Sequence, residues 1–329
     1  MNHEQPLVDL GIPTLSEVLD PIALAEQLRI VSGAPWNGGP IEGIQVRVLK
    51  HHVGERCTLE ISLRAGNSRH SLIGKVYNND QPEVFHAMKE IQATGFGPQA
   101  EFSIPQPIAY LPSLRLLLLE KVEGPVAKEI FKSGDERSRA TAAERCARWL
   151  ARFQALAPKT GSIFDVQDWL SSLQKRSRQI AKLGERCADK AARLLQGLQD
   201  ASSSLRPVEM RAGHGSYSPA QLILPDGRTV AIDWDGYDLA DPARDVGRFL
   251  YALRRWAVDK LGSIRALDGA AEVFLKTFRS AGPSEAETNL WFYKAASCLK
   301  LARTVPHWRE KTEAMLDEGL HVLEAEARQ

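Results

Sequence analysis

Two spacings of apolar residues alternate along the chain and divide it. Leu24, Leu28 and Val31 recur at helical intervals with Ala25 beside them. Thr14-Leu15-Ser16-Glu17 has capping-box spacing, and Asp20-Pro21 offers an N-cap followed by proline at the first helical position. Gly33 and the loop 35–39 end this lead, residues 1–43. From Ile44 the period shortens to two. Residues 44–49, 57–63 and 71–77 read as three strands, with turns at 50–56, containing Gly54, and at 65–68. A helix follows. Asn79 or Asp80 can cap it, Pro82 can open it, and Val84, Met88 and Ile91 form its face. Gly95-Phe96-Gly97-Pro98 stops it, and residues 107–111 and 114–120 give two more strands.

Beyond the break at Gly124-Pro125 the pattern is mostly helical. Ala142, Cys146, Leu150, Phe153 and Leu156 make a stripe over 136–155; 167–204 holds one or two helices. Ala243, Val246, Phe249, Leu250 and Leu253 predict a helix over 242–258, and two more, 284–304 and 307–326, flank Pro306. One hairpin interrupts this half. Residues 221–224 and 229–234 are short apolar runs joined by Pro225, Asp226 and Gly227, a tight turn.

Composition narrows the class. The chain has 329 residues, 43% hydrophobic and 25% charged, as in an ordinary soluble globular protein with one large domain or two lobes. A net charge of +1 gives no electrostatic reason to expect a nucleic-acid partner. The sequence MNHEQPLVDL lacks the basic and apolar regions of a signal peptide. The Leu-rich run 116–119 is too short to span a bilayer. Cys57, Cys146, Cys187 and Cys298 are scattered without metal-ligand spacing. The expectation is a reduced, cytoplasmic protein with no membrane partner.

The candidate chemistry lies on the hairpin. Asp233, Asp235, Asp238, Asp241 and Asp245 crowd together in a chain otherwise near charge balance, which suggests a cation site. The frame reads His214-Gly215-Ser216, Gln221, Ile232-Asp233-Trp234 and Asp241-Pro242-Ala243-Arg244-Asp245. In order and spacing it resembles the aminoglycoside phosphotransferase/choline kinase-like family, whose pattern is H-G-D-x-x-x-x-N, a hairpin, I-D-W/F and D-P-x-x-D. The resemblance covers roughly residues 44–255. It implies an α+β, bilobal protein-kinase-like fold: a small antiparallel-sheet N-lobe over 44–121 and a larger, mostly helical C-lobe over 122–329, with the catalytic hairpin at 212–245.

The resemblance also implies roles. Asp233 would bind Mg2+ bridging the phosphates of ATP or another nucleoside triphosphate. Gln221 stands where the family has its metal-binding Asn and keeps the amide carbonyl on a chain one methylene longer. Lys75 falls on the third strand before a helix, the place of the phosphate-binding lysine; pattern alone makes it an edge lysine with its head in water. Glu83 or Glu90 would pair with Lys75, Glu83 being preferred. The turn at Gly54 would cover the phosphates with backbone N–H groups, with Arg56 or His51 adding charge. The segment Glu120–Val122 would be the adenine-binding hinge. Asp245 would brace the catalytic loop.

Ser216 replaces the family's catalytic Asp and is a poor base at neutral pH. Asp235 is a possible substitute base and His214 a weaker one; in the plainer reading His214 only holds the loop by hydrogen-bonding backbone. The basic run Lys175, Arg176, Arg178, Lys182, Arg186, Lys190 and Arg193 reads by itself as a solvated face. If it borders the substrate site, it favours a neutral or anionic acceptor over a polycationic one. Two functions follow. One is ATP- and Mg2+-dependent phosphoryl transfer to a hydroxyl of a small molecule. The alternative is a pseudokinase that binds a nucleotide or ligand and regulates a protein partner.

Overall fold

The computed structural model describes residues 7–36 and 40–326; part of the predicted loop 35–39 and the first six residues lie outside them. The chain divides into two compact units, Met1–Glu123 and Gly124–Gln329.

The first unit begins with two short helices, α1 (Leu15–Leu19) and α2 (Pro21–Arg29). Asp20 caps α2 as expected, its Oδ1 accepting from Ile22 N at 2.8 Å. Thr14 does not cap α1. Its hydroxyl donates to the Leu114 carbonyl at 2.7 Å, a partner a hundred residues away that outcompetes the local amide. The main sheet is built of β1 (Ile41–His52), β2 (Arg56–Ala65), β3 (Ser68–Tyr77), β4 (Pro107–Leu111) and β5 (Leu116–Glu120). They form one antiparallel sheet in the order β1-β2-β3-β5-β4. β1 starts earlier than the alternation predicts. A bulge between Glu42 and Gln45, with Gly43 at φ +60°, absorbs the break in period. Leu15, Val18, Leu24, Leu28 and Trp36 share one core with Leu59, Ile61, Leu63, Val76, Leu116 and Leu118. The helical lead is therefore packed into the unit that carries the sheet.

Helix α3 (Pro82–Ala93) buries Val84, Met88 and Ile91, as predicted. Neither Asn79 nor Asp80 caps it; the N-cap is Gln81, and the Asp80 carboxylate accepts from Tyr110 OH at 2.5 Å.

The second unit is built on α4 (Ala127–Ser133), α5 (Glu136–Leu156), α6 (Val166–Ala181) and α7 (Glu185–Ser202). Four short strands follow: β6 (Arg211–Gly213), β7 (Leu222–Ile223), β8 (Thr229–Ala231) and β9 (Asp238–Ala240). Then come α8 (Ala243–Lys260), α9 (Asp268–Ala281), α10 (Leu290–Leu301) and α11 (Arg309–Glu326). Helix α9 falls in a stretch for which the sequence pattern gave no element. The α5 stripe is buried except Leu156, which is 44% exposed at the helix end. The five predicted apolar positions of α8 are all buried. All four cysteines are buried free thiols, and burial pushes the Cys57 thiol up to about 11. Among the described residues no helix is long and apolar enough to cross a membrane.

Candidate functional site

The hairpin is held from outside. β7 and β8 pair antiparallel, Leu222 opposite Ala231, and Gly227 takes φ +70° in the predicted turn. Arg145 of α5 clamps that turn, donating from Nη2 to the Pro225 carbonyl at 2.7 Å and from Nε to Thr229 Oγ1 at 3.2 Å. The strands are shorter than the apolar runs. Gln221 belongs to a 3-10 turn, Pro219–Gln221, and β8 stops at Ala231. Asp233 is thus not on the strand. It lies two residues past it with φ +72°, a left-handed backbone that a non-glycine residue adopts only at a cost.

Two loops meet at that point. Gly215 has φ +74°, and a Cβ there would lie 2.1 Å from the Gly236 carbonyl oxygen. Only glycine lets the 214–216 backbone approach the 233–237 backbone this closely. β6 and β9 fasten the same two loops at their bases, Gly213 opposite Asp238. Below them Trp234 is buried, its ring centroid 4.7 Å from that of His214 and 5.9 Å from Trp149. Tyr217 completes the aromatic floor and donates its hydroxyl to the Cys146 carbonyl at 2.6 Å.

His214 is fully buried. Its backbone N–H donates to Asp245 Oδ2 at 2.6 Å, which makes Asp245 the brace of this loop. Its ring Nε2 lies 3.0 Å from the Ile232 carbonyl oxygen and its Nδ1 lies 3.1 Å from Ser216 Oγ. A carbonyl can only accept, so Nε2 carries the proton. Burial holds the imidazole below its ordinary value against the pull of Asp245 and Asp233, so the ring is neutral and Nδ1 accepts from the Ser216 hydroxyl.

The crowded carboxylates do not assemble into one cation cage. Asp238 accepts both guanidinium nitrogens of Arg244, at 2.5 and 2.6 Å. Asp241 takes the Ala243 N–H and Asn289 Nδ2, at 2.8 and 2.7 Å. Asp245 serves His214. Burial raises the Asp238 and Asp241 carboxyls above the ordinary range despite these partners. Among the described residues no three His, Cys, Asp or Glu side chains are grouped to hold a metal. Asp233 and Asp235 are both half-buried, as is Gln221, whose Oε1 accepts from Ser218 Oγ. Mg2+ needs few protein ligands, all oxygen, and takes the rest from phosphate and water. The Asp233 carboxylate with the Gln221 amide oxygen fits such a donor set.

In the first unit Lys75 is buried in β3, in register with Thr58 of β2 and Leu117 of β5. Glu83 and Glu90 both lie on exposed positions of α3. Gly54 turns the β1–β2 connection at φ +74°, but its N–H is committed: it donates to Asp9 Oδ2 at 2.8 Å. His51 Nε2 reaches the same oxygen at 2.7 Å. These two bonds, the amide first, hold the Asp9 carboxyl below its ordinary range. The predicted phosphate contact therefore cannot come from the Gly54 amide while Asp9 holds it. Asp9 carries no sequence signal beyond its place near the N-terminus. Arg56 opens β2, opposite Tyr77 of β3. Glu120 ends β5, its Oε2 accepting from Gln106 N at 2.9 Å, and Val122 follows half-buried.

An antiparallel sheet with helix α3 following its third strand in the first unit, and helices around a braced hairpin in the second, make a kinase-like α+β fold. The chain belongs to the phosphotransferase enzyme family, whose model matches residues 64–285. Its structure is similar to that of a putative aminoglycoside phosphotransferase from Ralstonia eutropha JMP134, with a TM-score of 0.62 at 15% identity over 93% of this chain and 98% of that one. It is also similar to a glucosamine kinase, with a TM-score of 0.61 at 15% identity over 87% and 84%. A choline/ethanolamine kinase family protein from Mesorhizobium loti gives a TM-score of 0.54 at 15% identity over 91% and 94%. No curated protein matches by sequence.

Proposed function

We propose that the protein transfers a phosphoryl group from ATP, or another nucleoside triphosphate, to a hydroxyl of a small molecule in a Mg2+-dependent reaction. The observation that supports this most is Asp233. A left-handed backbone costs about 1–3 kcal/mol at a non-glycine residue, and such strain concentrates at functional positions. Asp233 and Gln221 would hold the metal, which would neutralise phosphate charge as the bond to the leaving group breaks. Lys75 would bind the α/β-phosphates, with Glu83 or Glu90 as its partner. Arg56 would add charge, and the backbone of Glu120–Val122 would meet the adenine edge.

Ser216 sets the rate. Its proton is committed to His214 Nδ1, so its oxygen accepts from the acceptor hydroxyl and orients it. It does not retain that proton, and the buried, neutral imidazole behind it resists a charge. Loss of a positioned base typically lowers the rate ~10²–10⁴-fold. Asp235 is the substitute base of this reading. The same hydroxyl–imidazole bond, with Ser218 on the Gln221 amide, supports the alternative of a pseudokinase that binds nucleotide and regulates a protein partner.

A thermal-shift titration with ATP, GTP and ADP, with and without Mg2+, tests the reading. Asp233→Ala should abolish the Mg2+-dependent part of the shift. A shift unchanged in the variant would remove Asp233 from the site. A Mg2+-dependent shift without turnover of any acceptor would favour the pseudokinase.

A further inference from the structure

Helix α8 leaves the Asp241–Asp245 corner and carries four arginines: Arg244, Arg248, Arg254 and Arg255. Two are matched. Arg244 is forked onto Asp238, and Arg254 pairs with Glu318. The other two differ, and Arg255 lies over the Trp256 ring, 4.9 Å from its centroid. Arg248 and Arg255 are seven residues apart, on the stripe that begins at Asp245 and about 10 Å from each other along the helix. Both are half-buried, and among the described residues neither meets a carboxylate in an ion pair.

Further cations converge on them. Arg176 of α6 donates from Nε to the Lys300 carbonyl at 3.2 Å, and Lys300 Nζ donates to Ser172 Oγ at 3.2 Å. Arg303 follows just after α10, stacked over Trp308 at 4.5 Å. Helix α10 packs against both α8 and α6, and burial beside Arg248 and Arg176 lowers Lys300 below its ordinary value. The acids within reach are fewer than the cations: Asp259 is engaged with Lys311 and Lys260, and Asp245 gives its Oδ2 to the His214 amide while its Oδ1 has no hydrogen-bond partner. Two donors in the group are buried without any partner, Arg248 Nε and Tyr251 OH. Unmatched cations and idle donors gathered from three helices are destabilising unless an anion joins them. The cluster also reaches the candidate centre, since Arg248 follows one turn after Asp245, whose carboxylate holds the His214 loop.

We infer that Arg248, Arg255, Arg176 and Lys300 form an anion subsite for the phosphoryl acceptor, which is a hydroxyl compound bearing a phosphate or carboxylate group. The assignment rests on the phosphotransferase reading for the word acceptor, but not for the anion site itself. The anion would sit along α8 while its hydroxyl lies toward Ser216 and Asp233. A polycationic or quaternary-ammonium acceptor is excluded by the same charges.

The test uses the full chain and an Arg255→Gln/Lys300→Gln variant. Inorganic phosphate is titrated by calorimetry in a buffer free of other multivalent anions, and melting is followed in parallel. The wild type should bind phosphate, and the variant at least about tenfold more weakly. Without phosphate the variant should melt above the wild type, because two unmatched charges are gone. Should the double variant not fold, Lys300→Gln alone is measured in the same way. Equal phosphate affinity in wild type and variant overturns the subsite. With Mg2+ and ATP, ADP release is then compared for glucose, glucosamine, gluconate and glucose 6-phosphate. Gluconate ahead identifies a carboxylate and glucose 6-phosphate ahead a phosphate; glucose or glucosamine as fast as both overturns the acceptor assignment. Variant-sensitive phosphate binding in a protein that binds no Mg2+-nucleotide would sink the phosphotransferase reading and leave the anion site standing.

Discussion

Replacing Gly215 by alanine tests whether the approach of two backbones builds the site. The substitution adds one methyl group, with two consequences. The residue must hold φ +74°, which costs an L-residue about 1–2 kcal/mol. The new Cβ would also lie 2.1 Å from the Gly236 oxygen and 2.9 Å from its carbon. Ordinary contact would need the loops to part by about 1 Å, at a further cost of about 1–3 kcal/mol. The sum, about 2–5 kcal/mol, corresponds to a melting point lower by roughly 4–20 °C in a unit of this size. Function should suffer more. A displacement of about 1 Å can cost on the order of 10²-fold in rate, and here it falls between Ser216 and Asp233. Gly236→Ala is the control. Its Cβ would meet the His214 oxygen at 3.4 Å, an ordinary contact, and its φ is not left-handed. Urea denaturation and Mg2+-dependent nucleotide binding should both rank Gly215→Ala far below Gly236→Ala. Equal stability of the two variants, or a worse Gly236→Ala, would refute the argument.

Three more outcomes are expected. Ser216→Asp should raise the rate of ADP release by ~10²-fold or more if the frame around it is intact; no gain would mean that another group, Asp235 first, already serves as base. Asp238→Asn should destabilise the second unit by about 3 kcal/mol in urea melts, because it removes the forked partner of the buried Arg244 guanidinium and leaves Asp245, 3.9 Å away, as the remaining acid. His214 links stability to pH. Its folded value lies below the ordinary 6.5, so below about pH 6.5 the unfolded chain binds more protons and stability falls as pH drops towards the lowered value, by at most about 1.4 kcal/mol per pH unit. His214→Gln removes that proton and keeps a donor for Ile232. The stability difference between wild type and variant should therefore shrink between pH 7 and 5, and a constant difference would contradict the buried, neutral imidazole.

What the sequence disclosed depended on how local each interaction is. The sheet strands, the α3 face, the turn at Gly227 and the Asp20 cap are set by neighbours within a few positions, and all appear. The bond from Thr14 to Leu114 spans the unit, and nothing near Thr14 announces it. The density of Asp residues on the hairpin pointed to a cation site, yet most of them bind Arg244, Asn289 and backbone amides. Their partners come from other helices or from loop curvature, which periodicity does not encode. Arg248 and Arg255 are hard to read from the sequence for a related reason. The apolar positions of α8 assign them to its polar side, which is solvated in most helices. Four arginines on one helix with only Asp245 and Asp259 as acids was the available signal. The resemblance puts backbone N–H groups of the Gly54 turn over phosphate, and Asp9, which takes the Gly54 amide, comes from the N-terminal lead.

The site residues differ in what their presence proves. His214, Gly215, Trp234 and Asp245 match the family frame, and each is also demanded by folding: a buried ring bonded at both nitrogens, a backbone approach only glycine permits, an aromatic floor, a brace on an amide. A protein that had lost all catalysis would still need them to keep this hairpin. Their match therefore speaks for the fold and says little about turnover. Ser216 and Gln221 are half-buried and bonded only to near neighbours, so exchange at either position perturbs folding little. Three residues have features that folding alone does not favour. Asp233 holds a backbone that costs stability, and Arg248 and Arg255 bring half-buried charge to helix α8. A scaffold relieved of ligand binding would gain stability by losing these three. Their presence together is what makes a bound anion and a metal-held phosphate the economical account of this hairpin.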